Sequence, residues 1–268
     1  MRGLSSRPAR GADGYSPRVA ADGRTRAAAI GSELTFVLLA FVVAGLLVGS
    51  IPPLRTGLDW LVRRAFGEPT VSPAQFKVVV AILITPLATL LAAVLHRRIS
   101  RLWDDPPAPF AAPAPPLATI GQVVLHLLLA VLGSYVLAIA MYLLGFPVAE
   151  QPLVVEISAG PRFGPEVAVL AVSALLLAPL GEELLFRGQL FRRLAARAGL
   201  PAAYATTALL FAAIHLNVHG FIVYAWLALV FGRVYAVTGR LGAAVAVHFG
   251  NNAITLAALL FAEGPASP

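Results

Sequence analysis

Apolar runs of membrane-crossing length recur along this chain, and they leave few folds open. Roughly 20 consecutive apolar residues traverse a bilayer as a helix. The sequence offers Leu34–Ile51, Val78–Leu95, Val123–Phe146, Glu166–Phe186, a shorter Ala202–Leu216, Phe221–Val237 and Ala243–Ala262. In lipid the backbone polar groups must be satisfied internally, which admits helices or closed barrels, and runs of this length read as helices. The expected fold class is therefore all-α, a polytopic transmembrane helix bundle of about seven spans, with six to eight as the range. Only 12% of the residues are charged and 59% are hydrophobic, about half the charge of an ordinary soluble domain. The mean hydropathy is +0.82. These values exclude a cytosolic globule and a disordered chain. The net charge of +7 then reads as loop orientation in a membrane, with no nucleic-acid partner. The chain has no cysteine, so disulfides, thiolate zinc sites and cysteine nucleophiles are excluded.

The chain divides into three parts. Residues 1–29 form a polar tail rich in Arg, Gly, Ala and Ser, expected to be disordered. The tail is too long and too polar for the start of a cleaved signal peptide, so the first apolar run is expected to be retained. Residues 30–159 are expected to be accessory transmembrane helices. They include an amphipathic stretch at Leu54–Phe66, a kink at Pro86 and a Pro-rich, polyproline-like linker at 104–118. Residues 160–262 hold the remaining spans. Six arginines of the tail fall on one side of the membrane together with Arg97, Arg98, Arg101, Arg187, Arg192, Arg193, Arg197 and Arg240. Arg55, Arg63, Arg64, Lys77 and Arg162 fall on the other. The positive-inside rule then places the N-terminus in the cytoplasm of a multi-pass cell-membrane protein. Arg192, Arg193 and Arg197 are expected to meet anionic headgroups.

Ionisable groups within a span are costly and mark function by default. The last part of the chain carries them in three groups: Glu182-Glu183-Leu184-Leu185-Phe186-Arg187, Phe211-Ala212-Ala213-Ile214-His215, and His248-Phe249-Gly250-Asn251-Asn252. Glu183 and Arg187 are four apart, so they share a face and can neutralise each other. Glu182 is rotated by about 100° from Glu183 and is the carboxylate left without a local partner. His248 and Asn252 project together, and Phe211 lies one turn below His215. A carboxylate and an imidazole can activate water as a general base. A second imidazole and an amide can donate to a developing oxyanion. The set suffices for peptide hydrolysis without a serine or cysteine nucleophile, and the same imidazoles and carboxylate are also zinc ligands.

The pattern EExxxR, then FxxxH, then HxxxN, on successive apolar helices, resembles the CPBP family. These are the CAAX prenyl endopeptidase and bacteriocin-processing intramembrane proteases, also called Abi proteins. The similarity covers about residues 160–262. It implies an endopeptidase of glutamic or metallo type acting on a membrane-associated or prenylated-type protein or peptide. It implies that Glu182 is the catalytic glutamate, that His215 helps it activate water, and that His248 and Asn252 polarise the scissile carbonyl. Glu183, Arg187 and Phe211 would support them from behind. No cofactor is expected. The alternative is one zinc ion on Glu182, His215 and His248.

The chain has no HExxH, no GxGD and no GxSG, so the zinc, aspartyl and rhomboid-type intramembrane patterns are missing. The competing reading is a non-proteolytic membrane protein that keeps the fold, either an immunity or scaffold protein or a proton-coupled transporter. A proton relay needs ionisable groups through the whole membrane depth, whereas here they gather in one cluster.

Overall fold

A computed structural model describes residues 23–50, 73–102, 113–146 and 165–261, with isolated positions at 56, 60, 63 and 64. Among the described residues the regular structure is all helical. Six helices are long and apolar enough to cross a membrane, and the Leu200–Ile214 helix is apolar but shorter. The chain is a multi-pass membrane protein.

Helix α1 runs Gly23–Ser50, α2 Pro73–Ser100 and α3 Pro116–Leu143. The last seven residues of the stretch expected to be disordered are thus helical, because Arg and Ala are good helix formers ahead of the apolar run. The rest of the tail lies outside the described residues. The linker also ends sooner than expected, since Pro115 and Pro116 cap and open α3, a position where a missing N–H costs nothing. Its residues 104–112 lie outside the described residues, as does most of Leu54–Phe66.

The fourth span departs most from its expected limits. It does not stop at Phe186 but runs Val167–Arg197, 31 residues. It is composite: α4 Pro165–Val172, a π-helical turn Ser173–Leu177, α5 Ala178–Leu185, a second π-helical stretch Phe186–Phe191, and α6 Arg192–Arg197. Arg187 looks like a membrane boundary in the sequence, but its side chain is fully buried and paired, so the helix continues past it. Glu182 consequently sits near the middle of its span, at membrane depth. Helix α7 (Leu200–Ile214), α8 (Phe221–Thr238) and α9 (Leu241–Phe261) complete the bundle. Gly239 ends α8 in the left-handed conformation at φ 62°, the usual glycine stop.

Helix α2 packs between α1 and α5, and α8 packs against α7, α3 and α9. The α1–α2 seam is built from small residues, Ala40 and Ala44 against Ala88, Ala92 and Ala93, which let membrane helices approach closely. The approach of α2 to α5 is tighter. A Cβ on Gly181 would lie 3.1 Å from the backbone nitrogen of Leu90 and 3.3 Å from the carbonyl oxygen of Pro86. Pro86 has no N–H to give the carbonyl of Ile82, four residues back. The Ser173 hydroxyl of the fourth span donates to that carbonyl at 2.9 Å. Leu117, Ile120, Val124, Leu132, Val136 and Ile139 of α3 are exposed, the face that lipid covers.

The basic residues collect at one end of the bundle, but not all as headgroup anchors. Arg193 Nε donates to both carboxylate oxygens of Glu33 at 2.9 Å, and Arg197 Nη1 to Oε1 at 2.7 Å. His96 Nε2 lies 3.7 Å from the same carboxylate. Glu33 is buried, so Arg193 and Arg197 clamp α1 to α6 from within.

Substituting Gly181→Leu should destabilise the full-length protein in detergent by about 1–3 kcal/mol, the range for overpacking. Gly45→Leu, where an added Cβ meets nothing within 4 Å, should leave the unfolding midpoint unchanged. Thermal unfolding followed by circular dichroism distinguishes the two.

Candidate active site

The site is organised around a carboxylate with no access to solvent. Glu183 of α5 is fully buried, as is Arg187. Arg187 Nη1 donates to Glu183 Oε1 at 2.9 Å, and Nη2 donates to the backbone oxygen of Ala228 on α8 at 2.8 Å. The guanidinium lies 5.9, 5.1 and 5.3 Å from the ring centres of Phe186, Phe211 and Phe231, a cation–π cage that compensates for lost water. The intrahelical pair expected from the four-residue spacing is therefore present. Its surroundings add what the spacing did not contain: Glu183 Oε1 also meets His248 Nδ1 of α9 at 2.9 Å. Glu183 thus joins the first and third sequence motifs.

That bond aims the imidazole. With Nδ1 engaged by a carboxylate, the ring orientation is set and Nε2 is the nitrogen presented elsewhere. Nε2 lies 3.9 Å from Glu182 Oε2. Phe231 stacks on the ring at 4.5 Å and 20° and holds it from the side. Glu182 is 9% exposed, and its Oε2 has no hydrogen-bond partner. Glu183 Oε2 is also without a partner, but it is Glu182 Oε2 that faces the outward nitrogen of the His248 ring.

His215 is the C-cap residue of α7. Its Nδ1 bonds the Phe211 carbonyl at 2.7 Å. The ring stacks on Tyr224 at 4.1 Å and 20° and leans on Phe211 at 4.7 Å. Phe211 is also 6.0 Å from the His248 ring, so one phenyl ring separates the two imidazoles. The next residue, Leu216, has φ 50°, a conformation unusual for a residue with a Cβ, and it ends the helix immediately beyond His215. His219 lies in the turn that follows.

Asn252 Nδ2 donates to the Ala174 carbonyl at 2.9 Å. The cause lies in the fourth span. The Ala178 N–H reaches back five residues to Ser173. The next donor in that register would be residue 179, which is proline and has none. Asn252 fills the gap, which leaves its second N–H for other work.

The structure thus gathers Glu182, Glu183, Arg187, His248 and Phe211 into one set. Among the described residues no hydrogen bond or ion pair joins His215 or Asn252 directly to Glu182. Nor do any three His, Asp or Glu side chains converge as a metal-ligand group. Sequence reasoning missed Phe231 and Tyr224, since aromatics in apolar helices carry no distinguishing signal. It also missed Glu33, though a lone acid at the start of an apolar run, with no Lys or Arg three or four residues away, signals a remote partner.

Residues 164–254 match the family model described as Type II CAAX prenyl endopeptidase Rce1-like. The matched stretch takes in all three motifs, and it agrees with the resemblance those motifs carry. No curated protein and no solved structure matches the chain.

Replacing Arg187 by Leu removes the partner of a buried carboxylate and should cost about 3–5 kcal/mol. A fall of less than about 1 kcal/mol in detergent unfolding, the scale of an exposed pair, would show that Glu183 is not held in this way.

Proposed function

We propose that this protein is an intramembrane endopeptidase that hydrolyses a peptide bond in a membrane-associated or prenylated-type protein or peptide, with water activated by Glu182. The observation that carries the proposal is the unpartnered Glu182 oxygen facing an imidazole nitrogen whose other side is fixed by Glu183. The family match over the same residues supports it.

In this mechanism a water beside Glu182 loses its proton to the carboxylate as its oxygen attacks the scissile carbonyl carbon. His215 assists: with Nδ1 committed to the Phe211 carbonyl, its Nε2 is the lone-pair side that accepts from the same water. The oxyanion that forms is met by donors, His248 Nε2–H and the free N–H of Asn252. Donation from Nε2 calls for a proton on that nitrogen while Nδ1 stays on the Glu183 carboxylate. As the C–N bond breaks, Glu182 returns its proton to the departing amine. The Glu183 carboxylate takes no proton in this sequence; its Oε1 holds Arg187 and His248 in place.

Purified Glu182→Gln should lose activity on a quenched peptide by about 100-fold or more, the lower range for a general base, with an unchanged unfolding midpoint. Glu183→Gln should keep more activity and lose stability. Equal residual activity in the two variants would refute the division of roles. A wild-type enzyme silenced by a chelator and restored by zinc would replace the proposal with a metal-bound water.

A further inference from the structure

Beyond the hydrolytic site, the arginine-rich end of the bundle contains a cavity of about 230 Å³ between the end of α2, the second π-helical stretch, α6 and the start of α9. Four guanidinium-bearing residues line it: Arg97, Arg101, Arg192 and Arg193, with Ser100 and Gln189 between them. Among the described residues no carboxylate is in the lining. Arg193 meets Glu33, which partly neutralises one side of the cavity. Among the described residues no carboxylate pairs with Arg97 or Arg101, and both residues are exposed. Asp104 and Asp105, next in sequence, lie outside the described residues.

Like charges gathered around one concavity repel each other, and the arrangement is stable when an anion fills it. The guanidinium fork matches phosphate oxygens two at a time. The volume is several times the ~30 Å³ that a water occupies in the liquid, enough for a phosphate group with some of its hydration. By the positive-inside rule this end faces the cytoplasm, at the depth of the headgroups. Basic pockets between transmembrane helices on that side are suited to anionic headgroups. We propose that this cavity is a phosphate-binding site, occupied by the headgroup of an anionic phospholipid of the cytoplasmic leaflet or by free phosphate. Leu184 and Gly188, which also line it, belong to the helix that carries Glu183 and Arg187, so the occupant braces the fourth span from outside the catalytic set.

The test is native mass spectrometry of the delipidated full-length protein, titrated with phosphatidylglycerol, phosphatidylcholine and inorganic phosphate. Phosphatidylglycerol should bind at least about 10-fold more tightly than phosphatidylcholine, a difference of about 1.4 kcal/mol. Arg101→Gln should remove most of that preference, whereas Arg98→Gln, an equally exposed arginine outside the lining, should preserve it. Competition by inorganic phosphate assigns the site to phosphate in general, and its failure to compete assigns it to the lipid. Equal binding of the two lipids, or equal effects of the two substitutions, would overturn the proposal, since binding would then be diffuse or absent at the cavity.

Discussion

The fully buried carboxylate of Glu183 is the constraint around which the C-terminal half of the bundle is built. A charge at this depth is tolerated only when it is paired and hydrogen-bonded. Two partners are available to it, the Arg187 guanidinium on its own helix and the His248 imidazole on α9. Arg187 continues the connection to α8 through the Ala228 carbonyl, and His248 brings in α9. Three helices are thereby fixed relative to each other by one pair of side chains and one ring. Glu182, the adjacent residue on a different face, is left facing the free side of that ring. That two adjacent carboxylates face different surroundings is a direct consequence of helical rotation.

The same economy appears in the backbone. Prolines at 86 and 179 each withhold a donor that a preceding carbonyl would otherwise receive. In lipid such a carbonyl must be satisfied by a neighbour. Ser173 serves Ile82, and Asn252 serves Ala174. Both repairs meet at the first π-helical turn, and they tie the fourth span to α2 on one side and α9 on the other. The π-helical turns are local departures of the kind often found near functional sites. Here they bracket the α-helical segment that carries both glutamates.

The helical class, the placement of the spans and the Glu183–Arg187 pair were legible in the sequence, because apolar run length and four-residue spacing are local quantities. The end of the fourth span was not. Arg187, Arg192 and Arg193 look like a membrane boundary, and only long-range partners reveal that Arg187 is internal and that Arg193 is bound to Glu33. The Glu183–His248 contact spans 65 positions, and no periodicity encodes it. Asn252 has the spacing of a residue that shares a face with His248, which is what the sequence reading used. Its hydrogen bond to Ala174 depends on a π-helical register that propensities do not specify.

The most direct test of the account is a double-mutant cycle on activity between Glu183→Gln and His248→Gln, with folding monitored in each variant. If Glu183 acts on the reaction by holding His248, the double variant should be no slower than His248→Gln alone, because the orienting residue has nothing left to orient. If the two losses multiply, Glu183 acts on catalysis by a route that does not pass through His248, and the shared carboxylate is not the organising element described here.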